Sequence, residues 1–248
     1  MTTHIETTRQ GEKLVLKFNR PDKKNAITAA MYQALADGVT KASDDESIRV
    51  INIIGDDRSF CAGNDLQDFL ENPPESLDSP VWQFLFALAD CKKTIIAGVN
   101  GPAVGIGTTL LLHCDFVVAS ESAVFALPFV PLGLCPEAAS SLLIPMQAGY
   151  KKANEWLLLG DRFSANDALN AGMINKVVAD SAQVAEQVDT WSNKIVKMPA
   201  ESIDQTRRLI REPYYHAVKQ QLAEEGEVFQ RLLKSDAAKQ AFEAFLNR

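Results

Sequence analysis

Two apolar runs, Val50–Ile54 and Thr94–Val99, each lead into a loop of small residues, and that repetition constrains the chain more than any other feature. The first loop reads Ser59-Phe60-Cys61-Ala62-Gly63-Asn64-Asp65-Leu66, the second Asn100-Gly101-Pro102-Ala103-Val104-Gly105-Ile106-Gly107. Runs of this length and composition predict buried strands. The second loop enters an apolar stretch, 108–113, of helical character. Glycines let a ligand approach backbone N–H groups closely, and N–H groups at a helix start have no intrahelical acceptor. Two such loops brought together would bind one oxygen atom that gains negative charge, the geometry of an oxyanion hole. A tight turn or a piece of a dinucleotide fingerprint would also contain Gly105-Ile106-Gly107. The fingerprint needs a third glycine at position 110, which is Leu110.

Around these loops the pattern alternates between strand and helix. Residues 13–19 set Leu14, Leu16 and Phe18 against Lys13, Val15 and Lys17, the period of a half-buried strand. Residues 27–42 predict a helix, with Ile27, Met31, Leu35 and Val39 at fourfold spacing and Thr28 at its start. Residues 68–79, with two consecutive prolines, predict a polar loop, and 81–90 a helix. Short strands follow at 115–119 and 123–126, then a helix at 152–159. Ser164 caps a helix to Asn170 closed by Gly172, and a strand at 174–178 comes next. From Ala182 onward the chain predicts helix, broken at Pro199 and Pro213. The whole is an α/β layered core, 1–195, with a helical region, 196–248, suited to packing between subunits.

Composition narrows the function classes. The 248 residues suffice for one large domain or two small ones. A net charge of −7 argues against a general affinity for nucleic acid or an anionic membrane, while leaving room for an anionic ligand on a local basic patch. Four scattered cysteines without a CxxC pair, and three histidines, speak against a zinc site or a disulfide framework. The first eleven residues lack a signal-peptide core, no apolar run reaches membrane-spanning length, and the final residues are not Ser-Lys-Leu. A cytoplasmic protein without a metal is the expectation.

With the loops in place, the sequence resembles the crotonase (enoyl-CoA hydratase/isomerase) superfamily. The resemblance runs through Asn19-Arg20-Pro21 with Asn25-Ala26, then Phe60 to Leu66. It continues with Val99 to Ala103, Gly105 and Gly107, then Cys114-Asp115, and Ser164 to Ala168 leading to Gly172. It implies a superhelix of ββα turns with a C-terminal helical region, assembling as a homotrimer or dimer of trimers. It also implies an acyl-CoA thioester substrate whose enolate is held by the N–H groups of Asn64 and Ile106. Coenzyme A would then be part of the substrate, with no separate cofactor. The implied CoA contacts fall at Lys23, Lys24 and Ala26 and along Ala62, Gly63, Asn64, Asp65 and Leu66, beside Gly105 and Gly107.

The hydratases of this superfamily use two glutamates, and the aligned positions here hold Thr109 and Phe129, neither of which is a base. One carboxylate remains nearby, Glu137, in Leu132-Gly133-Leu134-Cys135-Pro136-Glu137-Ala138-Ala139-Ser140-Ser141. That segment is similar to the Ser-Pro-Glu-Gly-Cys-Ser-Ser segment of peroxisomal-type Δ3,Δ2-enoyl-CoA isomerases, which implies that Glu137 is the acid/base. Apolar walls from Phe129, Leu132 and Leu134 would raise its pKa. Pro136-Glu137 also predicts the first turn of a helix, where the dipole would lower it. An ordinary first-turn glutamate would fit the same pattern, so a hydratase or another crotonase-type acyl-CoA enzyme, and a non-catalytic acyl-CoA-binding protein, stand as alternatives. His113 predicts a packed core residue, Cys61 a small buried filler, and Asp65 and Asp115 structural carboxylates.

Overall fold

The computed structural model describes residues 4–246, so Met1–Thr3 and the terminal Asn247-Arg248 lie outside the described residues. In chain order the elements are β1 (Ile5–Gln10), β2 (Lys13–Phe18), α1 (Ala29–Asp44), β3 (Val50–Ile54), α2 (Leu66–Glu71), α3 (Pro80–Asp90), β4 (Thr94–Val99), β5 (Pro102–Val104) and α4 (Ile106–Thr109). Then come β6 (Phe116–Ser120), β7 (Val124–Ala126), α5 (Ser140–Ala148), α6 (Tyr150–Asn154), β8 (Arg162–Ser164), α7 (Ala165–Asn170), β9 (Lys176–Val178), α8 (Ser181–Lys197), α9 (Ala200–Leu233) and α10 (Asp236–Leu246).

A six-stranded sheet in the order β1-β2-β3-β4-β6-β9 is antiparallel only between β1 and β2. A smaller sheet, β5-β7-β8, stands beside it. Helices cover both faces of the large sheet, which is why its central strands are continuous apolar runs. On one face α1 buries Met31, Leu35 and Val39 at the fourfold spacing, with α3 packed against it. On the other face α8 buries Val184, Val188 and Ile195 over Val50, Ile96 and Val118. Lys13 faces the same side, where its Nζ reaches Asp189 and Asn193 of α8. This accounts for a lysine at the start of a strand that is otherwise half buried.

The structure departs from the sequence reading in several places, among them the strands β1, β5 and β8, which it did not expect. The polar segment 68–79 begins as helix, because Asp65 caps α2 by accepting from the N–H groups of Gln67 and Asp68. The helix expected over 152–159 is α6, separated from α5 by Gly149 and followed by a π-helical turn, Glu155–Leu159. Pro213 does not break α9: it lies on an exposed side, four residues after exposed Leu209, whose carbonyl loses its helical donor. Glu137 does not open a helix. Ala138 and Ala139, at φ +62° and +56°, interrupt the chain before α5 begins at Ser140.

The helical C-terminus folds back on the core. Leu222 and Phe229 of α9 and Ala238 and Phe242 of α10 join the main apolar cluster. Asp115 is structural, as expected: it accepts from Ile95 N–H and holds Arg207 Nε of α9 through both oxygens, at 2.9 and 2.8 Å. Ser164 caps α7 in a reciprocal box with Asp167.

Candidate active site

The two glycine loops are stitched together by their backbones. Cys61 N–H donates to Pro102 O at 3.0 Å, and Val104 N–H donates to Cys61 O at 2.9 Å. Gly107 allows this approach, since a Cβ there would stand 2.5 Å from the Cys61 carbonyl oxygen. Gly63, at φ +97°, adopts a conformation side chains resist. Its carbonyl accepts from Ile27 N–H (2.8 Å), and Asp65 N–H donates to Ile27 O (2.9 Å). Because alternate peptide groups of an extended chain point to opposite sides, these two bonds turn the N–H of Asn64 away from Ile27. Ile106 supplies the first N–H of α4, which has no intrahelical acceptor. Among the described residues, neither Asn64 N–H nor Ile106 N–H has a backbone acceptor.

Both loops line one cavity of about 320 Å³. Lys23, Ala26, Ala62, Gly63, Asn64, Asp65, Leu66 and Gly105 contribute to it, with Phe129 and Leu132 on the apolar side. Four of the candidates do not line it: Lys24, Ile106, Gly107 and Glu137. Lys24 instead uses its carbonyl to accept from Ala62 N–H, bracing the first loop. Among the described residues Asp65 is the one carboxylate in the lining, and it is committed to structure: besides capping α2, it accepts from Arg20 Nη1 at 2.6 Å.

Glu137 is buried, 3% exposed. Its Oε1 accepts from Thr109 Oγ1 at 2.5 Å, and Thr109 is one helical turn beyond Ile106. Burial drives its pKa up to about 8 against the opposing pull of the Thr109 bond, with the charge of Glu225 adding to the rise. The conflict between desolvation and a helix dipole therefore goes to desolvation, because the left-handed residues 138 and 139 keep Glu137 out of the first turn of α5. Its charge is felt across the site, by the Tyr32 hydroxyl and by the Cys61 thiol. Cys61 is a buried filler whose pKa burial lifts to about 12. His113 is a core residue, its Nε2 2.8 Å from Ala138 O and its pKa lowered by burial to about 4.

Comparison with known proteins decides the family. The sequence profile described as enoyl-CoA hydratase/isomerase matches residues 9–248. The chain belongs to the enoyl-CoA hydratase/isomerase family. The human protein named enoyl-CoA delta isomerase 2 is 35% identical over 240 residues, covering 94% of this chain and 60% of its own. The 2,3-dehydroadipyl-CoA hydratase of Escherichia coli strain K12 is 31% identical, covering 99% and 96%. Against the human isomerase and its rat counterpart, this chain spans little more than half their length. Among solved structures, Pseudomonas aeruginosa OdaA superposes with a TM-score of 0.96 at 42% identity, over 99% of both chains.

Within this crotonase fold, sequence reasoning missed several contributors to the site. Tyr32 donates to Asn64 Oδ1 at 2.6 Å, yet in the sequence it sits beside the apolar stripe of α1 and looks like core. Phe229 of α9 and Phe242, Phe245 and Leu246 of α10 close the cavity from the C-terminus. Their helical spacing signalled an apolar face without saying what it covers. Glu225, also on α9, is buried against the segment that carries Glu137.

Proposed function

We propose that the protein is a Δ3,Δ2-enoyl-CoA isomerase, with Glu137 as its single acid/base. The observation that carries this reading is the environment of Glu137: a buried carboxylate, bonded to Thr109 one turn past Ile106, in a site whose other carboxylate is tied to Arg20. In this mechanism the ionised Glu137 takes the C2 proton of a 3-enoyl thioester. The C2–H electron pair forms the C1–C2 enolate bond and charge moves to the thioester oxygen, where Asn64 N–H and Ile106 N–H hold it. The protonated Glu137 returns a proton to C4 as the double bond settles between C2 and C3. No water is consumed, and the apolar walls of Phe129, Leu132 and Leu134 keep solvent from the dienolate. The substrate brings the coenzyme A, held at Lys23, Lys24 and Ala26 and along the first loop.

The reading extends to assembly. The first half of α9 exposes Leu209, Ile210, Tyr214 and Tyr215, an apolar face suited to a homotrimer or dimer of trimers built through the 196–248 region. Among the described residues no helix is long and apolar enough to cross a membrane.

A second reading, hydration, is favoured by the near full-length match to the Escherichia coli hydratase. Incubation with trans-3-hexenoyl-CoA and trans-3-decenoyl-CoA separates the two. Conjugated 2-enoyl product, absent in Glu137→Gln at unchanged ligand affinity, supports isomerisation. A 3-hydroxyacyl product from a 2-enoyl thioester supports hydration, and binding without conversion overturns both.

A further inference from the structure

The segment that delivers Glu137 has no regular structure of its own. Ala138 and Ala139 both occupy the left-handed region, a conformation that alanine adopts at a cost. Two side chains from elsewhere in the fold grip this pair. His113 Nε2 donates to Ala138 O from one side. From the other, the carboxylate of Glu225 accepts from Ala139 N–H at 2.6 Å, from Ser141 N–H at 2.9 Å and from the Ser141 hydroxyl. Gln221, one turn earlier on α9, donates to the same hydroxyl at 2.9 Å. Glu225 is 4% exposed, and among the described Asp, Glu, Lys and Arg residues only Glu137 shares that degree of burial. Nothing in the proposed chemistry uses it.

We propose that Glu225 is a positioning residue, a clasp from the C-terminal helix α9 that holds residues 138–141 in their left-handed course and so keeps the Glu137 carboxylate against Thr109 beside the two N–H loops. A carboxylate suits this task because it is acceptor-only and can satisfy three donors at once. Glutamine, of the same shape, would turn an NH₂ toward an N–H. The proposal rests on Glu137 being the base, and it gives the C-terminal region a role in the reacting geometry as well as in lining the cavity.

Several ionisable groups surround the pair. Glu225 and Glu137 feel each other, and Glu137 also faces Tyr32 of α1 and Cys61 of the first loop. Glu225 faces Cys135 across the segment and Glu224 on its own helix. Removing the Glu225 charge should thus move the Glu137 titration to lower pH.

The test is Glu225→Gln, measured as kcat and KM for trans-3-hexenoyl-CoA. In parallel, carbon-13 NMR follows the Glu137 carboxyl, assigned by its loss in Glu137→Gln. The expected result is a kcat lower by about 10- to 100-fold, the scale of a small misplacement of a reacting group, with KM unchanged and the Glu137 titration shifted to lower pH. Adding Ala139→Gly, which takes the left-handed conformation without steric cost, should restore part of kcat. Should Glu225→Gln fail to fold, Ser141→Ala removes one of the three donors and should give a smaller loss of kcat at unchanged KM. Wild-type kcat with an unmoved titration in Glu225→Gln, or a loss that falls on KM and is not recovered by Ala139→Gly, overturns the clasp. If wild type shows no isomerisation, the isomerase reading fails, and the clasp stands where Ala139→Gly partly reverses the titration shift of Glu225→Gln and falls where it does not. Isomerisation that depends on Glu137 but not on Glu225 gives the reverse.

Discussion

Replacing Glu137 by glutamine should stabilise the protein, and by more as the pH rises. A carboxyl whose pKa climbs from 4.5 in the open chain to about 8 in the fold keeps its proton in the native state long after the unfolded chain has released it. Below about pH 4.5 both states are protonated and the group is neutral toward stability. Between 4.5 and 8 the native state binds more protons, so unfolding becomes easier by 1.36 kcal/mol for each pH unit. From 4.5 to about 8 the loss amounts to about 5 kcal/mol. Glutamine keeps the shape and an acceptor for Thr109 Oγ1 but cannot ionise. Glu225, raised to about 6 by burial, imposes a similar slope between 4.5 and 6 in both proteins, and this cancels in the difference.

The assay is denaturant unfolding of wild type and Glu137→Gln from pH 5 to 8.5, followed by tryptophan fluorescence. The two should nearly coincide at pH 5 and diverge to about 5 kcal/mol at pH 8.5, equivalent to roughly 10 °C in Tm for a chain of this size. A difference that stays constant across the range would refute the reasoning, since it would mean Glu137 ionises at an ordinary pH in the fold. The same titration sets the activity. In the proposed mechanism Glu137 must be ionised, so kcat/KM should rise with pH through about 8, as stability falls.

Gly107→Ala should push the two loops apart, because the new methyl would sit 2.5 Å from a backbone oxygen that cannot yield; we expect kcat to fall by about 10²- to 10³-fold, as on loss of an oxyanion donor, with the folded state still detectable by circular dichroism. Thr109→Val removes the hydrogen bond that opposes the rise in the Glu137 pKa, so the pH–rate profile should move further to the alkaline side. The thiols of Cys61 and Cys135 are both pushed up to about 12 by burial, and that of Cys114 higher still. Cys61, fully buried, should react with Ellman's reagent in the native protein only on the timescale of unfolding, and fast labelling there would contradict the packing.

The parts of the site legible in the sequence are those whose chemistry is carried by backbone and by short-range pattern. Two small-residue loops after buried strands announce N–H donors because glycine spacing and strand burial are local properties. The parts that stayed hidden are set by contacts across long stretches of chain. Tyr32 meets Asn64 across 32 residues, and Glu225 meets Ala139 across 86. In the sequence each looks like something common, an aromatic by a core stripe and an acid on a long helix. Pro213 misled for a related reason, since whether a proline ends a helix depends on whether the carbonyl it frees can find water.

The misplaced helix start at Glu137 shows how the hidden contacts decide the chemistry. Had Pro136-Glu137 begun α5, the helix N-terminus would have favoured the charged carboxylate and lowered its pKa. Ala138 and Ala139 prevent this by turning left-handed, and they hold that course because His113 and Glu225 take up their carbonyl and N–H. The Glu137 pKa is therefore raised rather than lowered, through a backbone conformation that its own neighbours in sequence disfavour. A sequence in which residue 139 were glycine would need Glu225 less, whereas one that lost Glu225 while keeping both alanines would have nothing left to hold the Ala139 N–H.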